Sequence, residues 1–464
     1  MATLPFVQHD PDLLRLPLAR TLVKSRHFPT AIQLAALLAY GGLIYVGFLA
    51  TTEAARYSNL SSLIIWTVWW PGLVLLTFFQ TRLWCTACPI GLVSRTLGRF
   101  GLRVKVPRSL RRNRLGIVVG LFLLHSLVVA YAVNHIPSLT AVYLLGLLGY
   151  AVAISLLFEP DAFCSSFCPL SGVVGSYAML SPIELRSADT AGCKACHEHR
   201  CVKICPRNLY MGTLSSNQDC VLCFDCVKAC PNDNIVLRRR APLQDLWQER
   251  TQTLGTALLI VLLLGIMIEE IGEEWNRFAA ATNALPNILI RLGLPERVVG
   301  YSWLEALWIN FALPLLIVSF AAALAHLLSR RVSIRQNFVR YSPALLPLVF
   351  SLHLTKMAHN LNAHLGMLPN ALLEPAGTKT AAALAANPAA IPTSLLGNEH
   401  LEGAFLLTLV ALGVLGSFHV LDQIAYNHDE PGRWRTVAVY YVLLAFLGGA
   451  FMVVIARWFG LGPA

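Results

Sequence analysis

Twelve cysteines fall into four short groups, and none is left over for scattered core packing. The run Cys220-x2-Cys223-x2-Cys226-x3-Cys230-Pro231 has the spacing in which three thiolates wrap one iron–sulfur cube and the fourth reaches a second cube. Two-residue gaps let a tight loop cover three corners of a cluster, and the proline turns the chain away. Upstream, Cys193-x2-Cys196-x4-Cys201-x3-Cys205-Pro206 repeats the pattern with a longer middle, His197-Glu198-His199-Arg200. The expected ligation is crossed. Cys193, Cys196, Cys201 and Cys230 hold one [4Fe-4S] cluster, and Cys220, Cys223, Cys226 and Cys205 hold the other. A zinc site also uses paired C-x2-C, but eight thiols with two C-x3-C-P endings exceed the needs of one zinc ion. His197 and His199 read as solvated loop residues.

The other four cysteines stand in Trp84-Cys85-Thr86-Ala87-Cys88-Pro89 and Phe163-Cys164-Ser165-Ser166-Phe167-Cys168-Pro169. Each motif follows a pair of apolar stretches, so the first 180 residues read as two copies of a helix, helix, Cys-Pro unit. A duplicated hairpin packs about a pseudo-two-fold axis, which brings both cysteine pairs together. Four thiolates there can hold a third Fe–S cluster or a mononuclear iron; the alternative is reduced dithiols that shape the helix ends or act in thiol redox chemistry.

The elements that must position these groups are membrane helices. Hydrophobic residues make up 56% of the chain and charged residues 13%, which points to lipid as solvent. Apolar stretches of spanning length recur near 31–52, 60–80, 114–134, 138–158, 252–271, 302–328, 342–364, 402–425 and 435–458, about nine spans. Arg15, Arg20, Lys24 and Arg26 precede the first. Arg82, Arg95, Arg99, Arg103, Lys105, Arg108, Arg111, Arg112 and Arg114 follow the second. Short basic loops stay cytoplasmic, so the N-terminus and the Cys-rich segment are expected in the cytoplasm and the C-terminus outside, in a bacterial cytoplasmic (inner) membrane. Disulfides are then disfavoured. The net charge of +11 reads as topology signal, not as a nucleic-acid surface. The fold class is mostly α: a polytopic helix bundle with an inserted bacterial-type 2[4Fe-4S] ferredoxin module, divided as 1–180, 181–248 and 249–464. Residues 272–301 read as an outside loop with a short amphipathic helix, and 371–394 as a loop with little fixed structure.

Span seven is unusually polar. His353, Lys356, Met357, Asn360 and His364 fall on one stripe at 100° per residue, with His359 away from it. Ionisable groups inside a span mark function more often than not. A quinone site at His353 and Lys356 is the favoured use, followed by a proton path; hydrogen bonding between helices is the plain alternative. His125 and His353 lie at similar depth, as bis-His ligation of haem b would require, but haem b is the less favoured cofactor. Glu269 and Glu270 could accept protons released by quinol oxidation or be ordinary interfacial acids. No phosphate-cradling glycine loop or dinucleotide fingerprint is present.

Paired spans ending in Cys-Pro motifs, followed by two ferredoxin motifs, resemble the NapH/NosR-type membrane polyferredoxins over residues 30–240. The resemblance implies a quinol dehydrogenase-like or quinone reductase-like oxidoreductase subunit that exchanges electrons between the quinone pool and Fe–S clusters. Cys85, Cys88, Cys164 and Cys168 are the matching membrane-edge positions. Redox partner subunits in a multisubunit complex are the implied partners, beside membrane lipid. The chain departs from the simplest members by lacking a long flavin-binding N-terminal domain and by adding about five spans. A related group that assists oxidase maturation, and a redox-sensing role, are the alternative functions.

Overall fold

Seven helices among the described residues are long and apolar enough to cross a membrane: Thr30–Gly47, Leu60–Gln80, Pro137–Leu157, Leu254–Gly272, Trp303–Ser329, Glu399–Asn427 and Arg433–Trp458. The computed structural model describes residues 12–292, 301–387, 392, 394–428 and 433–461. Two expected spans differ in kind. Leu115–Ala130 is apolar but has 16 residues, about 24 Å of helix against a hydrocarbon core of about 30 Å. Leu346–His364 has 19 residues, but His353, Lys356, His359, Asn360, Asn362 and His364 make it less apolar than the seven.

The chain forms two compact units, one from residues 1–42, 75–117 and 146–251, the other from 43–74, 118–145 and 252–464. In the first unit, strands β1 (Ile183–Ser187) and β2 (Ile235–Arg239) form an antiparallel ribbon in which Ile183 pairs with Arg239 and Ser187 with Ile235. The ribbon ties together the two ends of the Cys-rich segment. Leu14, Val23 and Phe28 from the N-terminal segment pack with Leu185, Phe224, Val227 and Ile235. Asp12 accepts the Leu237 N–H at 3.0 Å, and Arg20 and Lys24 pair with Asp233.

In the second unit Leu254–Gly272 is buried along nearly its whole length. It can be because its partners meet it at small residues: a Cβ on Gly265 would overlap the Asn310 carbonyl. The same holds between neighbouring helices at Gly413, where a Cβ would overlap Ser351. Among the described residues π-helical turns occur at Ile64–Trp69, Phe163–Phe167 and Trp308–Ala312.

One stretch expected to be a loop with a short helix and one expected to have little fixed structure both contain helices. Residues 272–301 contain Asn276–Thr282 and Ala284–Arg291, with 293–300 outside the described residues. The stretch 371–394 contains the second half of Leu368–Leu373 and all of Thr378–Ala386, with 388–391 and 393 outside the described residues. It is held by Asn59, whose amide donates to the Ala376 and Val46 carbonyls while its oxygen caps the helix that starts at Leu60.

Candidate metal centres

Cys193, Cys196, Cys201 and Cys230 line one open cavity, with Tyr210 and Asn234 in its wall. The local fold follows from capping. Asp189 accepts the N–H groups of Ala191 and Gly192 at 2.9 and 3.0 Å and so starts the helix Thr190–Ala195, which ends at Cys196. Asn234 donates its side-chain amide to Cys193 Sγ and its backbone N–H to Cys230 Sγ, both at 3.4 Å. Such donors favour anionic sulfur. Tyr210 donates to the Cys193 carbonyl at 2.6 Å, and the His199 ring stands edge-on to it. His197 and His199 are exposed.

Cys220, Cys223 and Cys226 are buried and Cys205 is partly so. Cys205 faces both Cys220 and Cys226, and Cys226 also faces Cys201 of the first group. The loop between them places Leu222 and Phe224 in the left-handed region, at φ 51° and 59°. That conformation turns the N–H groups of Leu222 and Asp225 onto Cys220 and Cys223. Backbone donors so arranged make an anion-binding nest.

The third group joins the two distant Cys-Pro motifs. In each, cysteine is the residue before the helix and proline its first residue: Cys88 before Pro89–Leu97, Cys168 before Pro169–Ala178. Proline costs nothing there, because the first N–H has no helical partner. First-turn N–H groups, of Ile90 and Gly91 in one helix and Ser171 in the other, meet the Cys88 and Cys168 thiols, and the Ser171 N–H also donates to the Cys168 carbonyl at 3.1 Å. Cys164 lies against Gly91, 4.0 Å from where a Cβ would be. Burial and the adjoining thiols push Cys88 up to about 12, so the bare site holds a neutral thiol and metal binding would exchange its proton for iron.

Arginines that read as topology signals in the sequence turn inward here. Arg82 is 1% exposed; it donates to the Gln218 carbonyl at 2.5 Å, to Ser171 Oγ at 2.7 Å and to Cys85 Sγ at 3.7 Å. Arg95 pairs with Asp161 at 3.2 Å and faces both Cys164 and Cys223. Thr86 donates to the carbonyls of Val221 and Leu222 at 2.7 and 2.8 Å, which docks the Cys85–Cys88 loop on the Cys220–Cys223 loop. Nothing in the spacing of Arg82 or Arg95 separates them from the surface arginines nearby.

Arg207 donates to the Cys164 carbonyl at 2.5 Å and pairs with Asp219, which also pairs with Arg114. Burial alone would raise Asp219, but the two guanidinium groups hold it well below the usual carboxylate range. Asp219→Asn leaves both arginines short of a counter-charge. With Asp219 itself 34% exposed, we expect a loss of about 1–3 kcal/mol, below the full penalty for breaking a buried pair. Thermal unfolding of the detergent-solubilised protein reads this directly, and an unchanged midpoint would mean the triad is idle.

Among the described residues no three His, Cys, Asp or Glu side chains are drawn close enough to hold a single metal ion. A four-iron cube keeps its thiolates further apart, across the width of the cluster. Each group offers four soft sulfur donors with amide or guanidinium N–H groups around them, a donor set that fits an Fe–S cluster.

The polar helix scatters its candidates. His353 is buried with its ring 5.6 Å from that of Trp70. Lys356 donates to Glu274 Oε1 at 2.6 Å and to the Glu270 carbonyl at 2.8 Å. His364 stacks on Tyr57, and His359 bonds Glu402 at 2.9 Å. His125 is 2.7 Å from Glu269.

A family model described as a 4Fe-4S binding domain matches residues 62–109 and 140–177, the two segments that carry Cys85 with Cys88 and Cys164 with Cys168. An uncharacterised protein of Methanocaldococcus jannaschii is 25% identical over 181 residues, covering 35% of this chain and 74% of that protein. No solved structure matches the chain. The chain thus combines a 4Fe-4S binding domain with several membrane-length helices.

Proposed function

We propose that this protein is a membrane electron carrier with three [4Fe-4S] clusters in series, exchanging single electrons between the quinone pool and a redox partner subunit. The observation that carries the reading is the adjacency of the three thiol groups. Cys226 lies within electrostatic reach of Cys201 across the first boundary, and across the second Thr86, between Cys85 and Cys88, donates to the Val221 and Leu222 carbonyls, between Cys220 and Cys223. Bound there, the clusters supply one-electron redox chemistry. The chain's own residues hold them: Cys193, Cys196, Cys201 and Cys230 the first, Cys205, Cys220, Cys223 and Cys226 the second, Cys85, Cys88, Cys164 and Cys168 the third. Arg82, Arg95 and Arg207 offset the charge that four thiolates bring into a buried site.

The twice-matched domain supports the third cluster, since each match contributes one cysteine pair. In this reading the segment 181–248 is a 2[4Fe-4S] ferredoxin module, on the cytoplasmic side of an inner membrane crossed nine times, in a chain of NapH/NosR type. His353, buried beside Trp70, is the residue we assign to the quinone, with Lys356 one turn away. Iron and acid-labile sulfide analysis after anaerobic purification tests the cluster number. Three cubes give about twelve irons per chain and two give about eight; eight irons with Cys85, Cys88, Cys164 and Cys168 open to alkylation would remove the third cluster.

A further inference from the structure

Glu269 lies near the end of Leu254–Gly272 with its side chain 4% exposed, and its Oε2 is 2.7 Å from Nε2 of His125, itself 13% exposed. A titratable pair at that depth in an apolar helix is costly unless each partner satisfies the other. Satisfaction alone would make it a packing device. The neighbouring residue says otherwise.

Asn310 is fully buried in the π-helical turn Trp308–Ala312, and among the described residues neither its amide oxygen nor its amide nitrogen has a hydrogen-bond partner. Its backbone packs on Gly265, one turn before Glu269 on the same face of that helix. The next residue, Phe311, meets Phe122 with ring centroids 6.5 Å apart, and Phe122 is one turn before His125. The Asn310–Phe311 step therefore packs one turn from Glu269 through Asn310 and one turn from His125 through Phe311. The hydroxyl of Ser126, beside His125, is also buried and unpaired. Buried polar groups with no protein partner are normally met by internal water, and π-helical turns cluster at functional sites because they open the backbone ladder.

We propose that His125, Glu269 and a water held by Asn310 form a proton relay through this helix group. A proton taken up at Nδ1 of His125, with release of the Nε2 proton to Oε2 of Glu269, takes the pair from one negative charge to none, and passing the Glu269 proton to the next acceptor restores the carboxylate. Glu270, Glu273 and His353 also face His125, and Glu305 faces Glu269. The carboxylates gather at the Gly272 end of the helix and give the proton its next acceptors. Lys356, paired with Glu274, places a cation at that end. The origin of the protons in quinol oxidation rests on the quinone reading above; the relay itself does not.

The test uses full-length protein in vesicles of phosphatidylethanolamine and phosphatidylglycerol. Infrared difference spectra between acid and alkaline buffer should show a carboxyl band that is lost in Glu269→Gln and shifted in His125→Asn. Asn310→Leu, which replaces an orphaned amide with a similar apolar volume, should keep or raise the melting temperature while slowing hydrogen–deuterium exchange of that band about tenfold. In a second arm, reduction of the clusters by a short-chain ubiquinol should slow about 100-fold in Glu269→Gln, the scale of a lost proton-transfer group. A carboxyl band unchanged in Glu269→Gln, or exchange unchanged in Asn310→Leu, overturns the relay. If the wild type does not oxidise ubiquinol but the infrared results hold, the quinone reading falls and the relay stands.

Discussion

Cys230→Ser should strip iron from the cavity that also holds Cys193, Cys196 and Cys201, and leave the group of Cys205, Cys220, Cys223 and Cys226 loaded. About four irons per chain should be lost, one cube, together with one of the electron paramagnetic resonance signals of the reduced protein. The expectation is counter-intuitive from sequence, because Cys230 is four residues from Cys226 and 29 or more from the three cysteines it joins. The geometry removes the paradox. Cys230 lies in the wall of the open cavity with Cys193, Cys196 and Cys201, and Asn234 donates to Cys193 and Cys230 at once. Loss of the other signal, with the cavity still loaded, would mean that the ligands are not crossed.

Gly265→Val should be among the most damaging substitutions outside the cysteines. A branched side chain there must displace the Asn310 backbone, and the residue sits mid-way along a helix buried on all sides. Overpacking of this kind costs about 1–3 kcal/mol or more, and it would separate Asn310 from the Glu269 face as well. The control is Gly449, where a Cβ meets nothing within 4 Å. Gly449→Ala should leave the melting midpoint within about 0.5 kcal/mol of wild type or raise it through helix propensity. A comparable fall in both variants would show that helix packing at Gly265 has no special weight.

The cysteine spacings made much of the candidate site readable, because ligand spacing is a local property of the chain. The meeting of Cys85 and Cys88 with Cys164 and Cys168 was readable only through the duplication. Hydropathy likewise marked nine stretches, seven of which are helices of membrane length, since crossing lipid is decided by composition over about 20 residues. What the sequence hid was tertiary. The stretch 371–394 has the Ala and Pro content of a loop, yet Asn59 and the Ser58 hydroxyl, which donates to the Gly377 carbonyl at 2.8 Å, fix it from more than 300 residues away. Arg82 and Arg95 satisfied a charge count that carries no information about burial. Asn310 gave no signal at all, because an orphaned amide is defined by its neighbours.

The clasp between the N-terminal segment and the Cys-rich segment also sets an order of events during synthesis. Asp12, Arg20 and Lys24 leave the ribosome early, yet their partners Leu237 and Asp233 follow more than 200 residues later. At the usual pace of translation, about 5–20 residues per second, the N-terminal segment waits on the order of 10–40 seconds for its docking surface. During that interval its basic residues are free to act on membrane insertion. Closure of the clasp then brings Leu14, Val23 and Phe28 onto a core that includes Cys193, Cys220 and Cys226. The segment thus settles only after the chain has been made as far as Leu237.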